Sequence, residues 1–583
     1  MKLKTKYDIG ATPLSEYPRP QLKRDSYLSL NGYWSFEKVK IGEDVSVFAN
    51  KILVPFSPES LNSGIDSFTL GEDEKLVYQR EFEYTKNDKT PVTYLHFGAV
   101  DQKCQVYLNE KYVGCHRGGY TPFKFEIQNE LADGTNTIRV ECTDVTEKSS
   151  GARGKQSSKP GKIWYTSQSG IWQSVWLESV AESHIKDITV KTYPDKNEVQ
   201  IFSNCEGKQT ITVYDNGEEI ISCEFDNKRV TLSYDFELWS PESPKLYTLI
   251  IETESGDKIE SYFGVRSFGI GEDKQGKKRL LLNGKPYFMS GVLDQGYYSD
   301  GLLTPPSNKA MYDDLKLLKD MGFNMVRKHI KIEPMLWYYY CDTLGLIVWQ
   351  DFVNGGGEYS FNHIALMPFL GFKHRDSDYK YFSRESKDGR EEYYEAMNET
   401  VLALKNVTSL GVWVPFNEGW GQFDSYEVTE YLKLLDDTRI IDSVSGWHDQ
   451  GKDKTPILSL HTYYTPLRVP KDPRPVVLSE FGGYSMKIAD HVYSEKEFGY
   501  KIFKSEEALC DGLSRLFLNK LKPLIKKGLS ASVYTQLSDV EEEINGLITY
   551  DRENVKIPRE FMKELNEELY KEAEKLNKSS FRV

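Results

Sequence analysis

Two glutamates stand where apolar runs break off. In GVWVPFNEGWG, residues 411–421, a stretch that reads as buried strand delivers an amide and a carboxylate, Asn417 and Glu418. In VLSEFGG, residues 477–483, an equally apolar run delivers Glu480, 62 residues later. Two carboxyl groups brought from separate strands into one pocket can divide a displacement between them. One donates and recovers a proton, and the other attacks or stabilises an electron-poor carbon; this is the pairing that cleavage of a glycosidic bond requires. A single glutamate at a strand end is as well explained by an ion pair, so the weight rests on the pair and on the strands that carry it.

Those strands are legible from about residue 271. Short apolar runs alternate there with segments of helical period, the pattern of βα units around a parallel sheet. Eight runs can be counted, ending at Asp294, His329, Asp351, Glu418, Trp447, Tyr464, at Glu480 within its run, and at Asp539. Eight units over about 310 residues predict a (β/α)8 TIM barrel, with Glu418 and Glu480 at the tips of its fourth and seventh strands, on the face where barrels hold their chemistry. The helix SNKAMYDDLKLLKDMGF is predicted to be capped by Ser307, to bury Met311, Leu315 and Leu318, and to end at Gly322. The last helix, with Phe561, Leu565 and Leu569 on one face, is expected to pack outside the barrel.

The first 270 residues follow another grammar. Residues 1–181 alternate short β-rich runs with turns and predict an N-terminal β-sandwich. Residues 182–270 repeat the pattern on a smaller scale with about seven strands and an Asn-Gly hairpin signal in YDNGEEI, the size of an immunoglobulin-like sandwich. A multidomain protein is therefore expected: 1–181 sandwich, 182–270 immunoglobulin-like sandwich, 271–583 barrel.

Composition excludes several classes. A net charge of −14 lacks the clustered Lys and Arg that nucleic acid demands. No apolar run is long enough to span a membrane, and the N-terminus carries lysines without the apolar run of a signal peptide. Seven dispersed cysteines without CxxC pairs fit a reducing cytoplasm, and no HExxH or comparable spacing predicts a metal. The 38 Tyr and 10 Trp supply flat faces suited to sugar rings as well as to cores.

Beyond the glutamates, the chain resembles glycoside hydrolase family 2, which includes β-galactosidases, β-glucuronidases and β-mannosidases. RPQLKRDSYLSLNGYWSFE (19–37) is similar to the family's opening, GIWQSVWLE (170–178) to the end of its sugar-binding domain, and FGVRSF (263–268) to its entry to the barrel. WVPFNEGWG and VLSEFGG are similar to its acid/base and nucleophile motifs. The resemblance implies a jelly-roll sugar-binding domain at the N-terminus and a retaining double displacement with no cofactor. Glu480 would be the nucleophile, Glu418 the acid/base, and Asn417 a donor to the sugar 2-hydroxyl.

Weaker expectations fall on the other strand tips. Arg327 and His329 end the second strand. His461, Tyr463 and Tyr464 end the sixth, where family members often keep a Tyr bonded to the nucleophile. Asp294, Trp447, Gln536 and Asp539 are candidate sugar contacts. The aromatic segment 352–388 is expected to wall the pocket or to build an interface such as that of a homo-oligomer. VRKHIKIEP and GVLDQGYYSDG depart from the family's usual loops, and the architecture is expected to stop at the barrel's last helix, short of the further β domains of many family β-galactosidases. An exo-β-glycosidase, β-galactosidase-like by default, is the leading expectation for function. A β-glucuronidase, β-mannosidase or arabinosidase and, from another class, a non-catalytic carbohydrate-binding protein are the alternatives.

Overall fold

The computed structural model describes residues 3–226 and 228–578. Two antiparallel sheets form the first layer pair: a four-stranded sheet holding Tyr27–Ser29, Val175–Val180, Val92–Phe97 and Phe123–Glu126, and a six-stranded sheet whose longest members are Glu74–Tyr84 and Gly134–Thr143. Alternation in these strands turns Val106, Ile138, Val140 and Leu95 inward onto one core. A second sandwich follows, of three and four antiparallel strands between Ile188 and Phe263. Its hairpin turns at Asn216 and Gly217, both with positive φ, 49° and 88°, as an Asn-Gly type I′ turn requires.

The third unit is a TIM barrel. Its strands are β1 Met289–Asp294, β2 Met325–Lys328, β3 Ile347–Asp351, β4 Leu410–Val414, β5 Ile440–Ile441, β6 Leu458–Thr462, β7 Val476–Gly482 and β8 Leu529–Thr535. All pair in parallel, in the order β5-β4-β3-β2-β1-β8-β7-β6. The sheet curls, and its ladder is open between β5 and β6, where side chains span the seam: Ser459 Oγ donates to Asp442 Oδ2 at 2.8 Å. Met289, Met325, Trp349, Val412 and Val533 fill the barrel interior. The predicted helix forms as α1, Asn308–Asp320; Ser307 Oγ accepts from Ala310 N, and Met311, Leu315 and Leu318 are fully buried. The final helix, α2, Arg559–Lys578, buries Leu565 and Leu569 outside the sheet. Among the described residues no helix is long and apolar enough to cross a membrane.

The fourth strand is shorter than its apolar run predicts. GVWVPFNE is read from sequence as one strand, but Pro415 has no N–H to give the ladder, and the run breaks into β4 and a two-residue piece, Phe416–Asn417, paired with Val444–Ser445. Glu418 follows that break with φ +50°, a left-handed conformation that a non-glycine residue holds only when its surroundings impose it.

The second sandwich is clamped to the barrel by polar contacts at buried positions. Trp239, fully buried, donates from Nε1 to the Asp342 carbonyl at 2.9 Å, and Tyr262 Oη donates to Asp342 Oδ2 at 2.8 Å. Removing so large a buried ring together with its hydrogen bond costs about 3–5 kcal/mol. Trp239→Ala is therefore expected to lower the urea midpoint followed by circular dichroism; an unchanged midpoint would mean that this clamp carries no stability.

Candidate active site

At the C-terminal end of the barrel the two glutamates meet. Glu418 and Glu480 are 7% and 5% exposed, and an oxygen of each and a ring nitrogen of His461 lie within 4.8 Å of one another. His461 Nδ1 is 2.6 Å from Glu418 Oε1 and 3.5 Å from Glu480 Oε2. Tyr463 Oη donates to Glu480 Oε2 at 2.5 Å. Three such groups could enclose a cation, but each side chain is already hydrogen-bonded inside the cluster, and no ligand role is assigned to them.

Arg327 organises the floor. Its guanidinium, wholly buried, forks onto Asp351 at 2.9 and 3.0 Å, and donates to Glu480 Oε1 at 3.3 Å, Asn417 Oδ1 at 2.8 Å and the Ser479 carbonyl at 3.0 Å. Because the Asn417 oxygen is taken by Arg327, its amide nitrogen faces the other way, buried and, among the described residues, without a partner. That is the state of a donor held ready for an acceptor from outside.

Burial dominates the electrostatics. It raises Glu418 from 4.5 to about 7, against the lowering influence of Lys155 and Arg327. Burial raises Glu480 too, with His461, Arg327 and the Tyr463 hydroxyl opposing and the Glu418 charge adding to it. His461 is pushed down to about 4 and His329 well below its ordinary value, again chiefly by burial.

The remaining tip residues divide. His329 lies against Asp351, its Nδ1 2.7 Å from Oδ2. Trp447 stands half-buried with its ring 6.4 Å from His461. Gln536 donates to Asn545 Oδ1 at 2.7 Å, and its own buried oxygen has no partner among the described residues. Asp294 pairs with Lys328 at 2.5 Å and Asp539 with Lys556 at 2.7 Å, all four buried. Tyr464 is 63% exposed and lies edge-on to Tyr500.

Several groups at the site carry no signal in strand spacing. The sandwich sends in the segment around Lys155 and Trp164. It is stitched to barrel loops by Arg153 N to the Asn354 carbonyl at 2.9 Å and Thr166 N to Glu541 Oε1 at 2.8 Å. Lys155 is 6% exposed, its ammonium 5.4 Å from the Trp420 ring and 5.1 Å from Tyr165. Trp164 packs against Trp420 and Tyr359. Trp420 belongs to the GVWVPFNEGWG stretch, where an aromatic between two glycines just past a glutamate is a signal that the run offers. Lys155 and Trp164 are brought in only by the domain packing. From 352–388, Tyr359 reaches this wall, while Phe361, Leu370 and Phe372 stay 71%, 59% and 58% exposed.

Profiles described as "Glycosyl hydrolases family 2, sugar binding domain", "Glycosyl hydrolases family 2" and "Glycosyl hydrolases family 2, TIM barrel domain" match residues 64–180, 174–266 and 274–480. A β-galactosidase of Thermoanaerobacter pseudethanolicus is 27% identical over 410 residues, covering 65% of this chain and 50% of that protein. A putative β-glucuronidase of Formosa agariphila is 27% identical over 292 residues, 47% of this chain and 34% of its own length. The chain thus spans half or less of these curated relatives. Among solved structures, a β-D-glucuronidase of Dictyoglomus thermophilum aligns with TM-score 0.73 at 20% identity over 95% of this chain and 98% of that one. A family 2 β-galacturonidase of Eisenbergiella tayi bound to galacturonate aligns with TM-score 0.69 at 18% identity over 94% and 99%.

The raised Glu418 value fixes a sign. A carboxyl whose folded value lies above its unfolded one costs stability as pH rises through the folded value, here from about 4.5 to about 7. Glu418→Gln removes that cost, so the variant is expected to melt higher than the parent at pH 8 and close to it at pH 4; equal melting at both would contradict the buried-acid assignment.

Proposed function

Because the chain belongs to glycosyl hydrolase family 2, we propose that it is a retaining exo-β-glycosidase that hydrolyses terminal β-linked sugars. The observation that carries this reading is the approach of an oxygen of Glu418 and one of Glu480 to within 4.8 Å, both side chains buried at the C-terminal end of the barrel. Retaining enzymes hold their carboxyl groups about 5–5.5 Å apart, whereas inverting ones leave about 6.5–9.5 Å for a water between them.

In the proposed mechanism Glu480 attacks the anomeric carbon and forms a glycosyl-enzyme while Glu418 gives its proton to the leaving oxygen. Glu418, now ionised, takes a proton from water as that water attacks the same carbon and releases Glu480. Glu418, raised to about 7, is poised to be acid before the first step and base before the second. Arg327 favours the ionised form of Glu480, and the Tyr463 hydroxyl does so as well. Asn417 offers its unpartnered amide to a substrate hydroxyl.

Galactoside is the default sugar, as in the name of the Thermoanaerobacter relative; β-mannoside and arabinoside are the alternatives at the same machinery. An acidic sugar is a second reading, favoured by Lys155, whose buried ammonium lies 5.4 Å from the Trp420 ring beside the glutamates that act on it. Against it, Glu543 is the largest of the charges that act on Lys155. Seven unbridged cysteines support a reducing, cytoplasmic setting. A homo-oligomer, if formed, would find an apolar surface at Phe361, Leu370 and Phe372.

Aryl β-glycosides of galactose, glucose, glucuronic acid, mannose, fucose and arabinose test the reading by nitrophenol release. Glu480→Ala is expected to lose about 10⁴-fold or more in kcat on the sugar accepted. Undiminished turnover in that variant sinks the nucleophile assignment. Glycan binding without hydrolysis in a folded sample would favour the non-catalytic carbohydrate-binding alternative.

A further inference from the structure

The double displacement by Glu480 and Glu418 gives His461 nothing to do. Its side chain has no exposure, so it is no surface for a sugar, and it touches both glutamates. Behind it, Nε2 lies 3.0 Å from Ser445 Oγ, and Ser445 Oγ donates to Ser479 Oγ at 2.9 Å.

A serine hydroxyl has one hydrogen, and here its direction decides a tautomer. With that hydrogen on the Ser479 side, Ser445 can only accept from the ring, which puts the hydrogen of His461 on Nε2. Burial keeps the ring neutral at ordinary pH, so Nδ1 is bare. A bare nitrogen 2.6 Å from a carboxyl oxygen needs the hydrogen to come from the carboxyl.

We propose that His461 is a positioning residue for the acid/base: a neutral imidazole, fixed as the Nε2–H tautomer by Ser445, whose Nδ1 accepts the proton of Glu418. The assignment rests on the reading of Glu418 as the general acid. Holding the protonated form by a hydrogen bond works in the same direction as burial and aims the proton-bearing oxygen. When Glu418 has given its proton to the leaving group, Nδ1 faces an ionised oxygen with no hydrogen between them. That mismatch favours return of a proton from the attacking water to the same oxygen.

Other charges act on the same carboxyl. Lys155 from the sandwich and Arg327 from β2 pull its value down, and Glu543 beyond β8 pushes it up. Glu480 on β7 and Asp351 on β3 bear on the ring itself, and Asp442, at the β5 end of the serine cluster, acts on Arg327.

Selective ¹⁵N-histidine labelling of the whole protein reads the tautomer directly, with His461→Gln assigning its signals among the nine histidines. A protonated Nε2 and a bare Nδ1 are expected at pH 6; the reverse pattern, or an imidazolium, overturns the proposal. Ser445→Ala supplies a second test, since it removes the acceptor for Nε2–H and frees the ring to donate from Nδ1 to an ionised Glu418. The basic limb of kcat/KM on the accepted 4-nitrophenyl glycoside should then fall by about one pH unit. A rise, or no movement in a variant whose circular dichroism matches the parent, contradicts it. Glu418→Gln is the control for the underlying reading. If it hydrolyses the 4-nitrophenyl glycoside as fast as the parent, the general-acid role fails while the tautomer result stands on its own.

Discussion

Everything at the mouth of the barrel is arranged about one buried guanidinium. Arg327 sits at the end of β2 with no exposure and takes up Asp351 from β3, Asn417 from beyond β4, and Glu480 and the Ser479 carbonyl from β7. An arginine so deep is tolerated only if its charge and donors are met, and meeting them draws three strand ends to one point. The same contacts decide chemistry. The fork on Asp351 leaves one arm for Glu480, and the bond to the Asn417 oxygen turns that amide outward. A lysine could supply the charge but not this planar fork.

The backbone completes what Arg327 begins. Continued as a regular strand, the fourth run would alternate its side chains between the barrel interior and its outer face. Pro415 interrupts it, the Phe416–Asn417 piece re-forms against Val444–Ser445, and Glu418 enters with φ +50°. That left-handed residue is held by its N–H, which donates to the Ser445 carbonyl at 3.0 Å, and by the His461 contact. Local strain is thus placed at the residue whose aim matters most, and the surrounding ladder maintains it.

How much of this was legible depended on the range of the forces involved. Strand periodicity, the Ser307 cap and the Asn216–Gly217 hairpin are local, and the residues themselves announced them. The meeting of Glu418 and Glu480 followed from counting strands, because barrel topology turns chain order into position. Arg327 could be placed at a strand tip, but not assigned its four partners. Asp294 and Asp539 read as polar tips, and the structure pairs each with a buried lysine, Lys328 and Lys556, that pattern alone does not pair with it. Tyr464 and Tyr463 are neighbours with opposite fates, one ring turned to Glu480 and the other to solvent just past the end of β6. Lys155 and Trp164 were invisible, for they reach the site through the packing of separate domains.

The intrusion of the sandwich segment has a consequence for how the chain can vary. The potential felt by Glu418 is set in part by Lys155, more than 260 positions earlier in the sequence, across a contact where little water intervenes to screen it. Changes in a domain that contributes neither glutamate can therefore retune the acidity of the pair and the character of the wall opposite it. The barrel can stay the same while the ligand it suits drifts, so two chains with matching barrel motifs need not share a substrate.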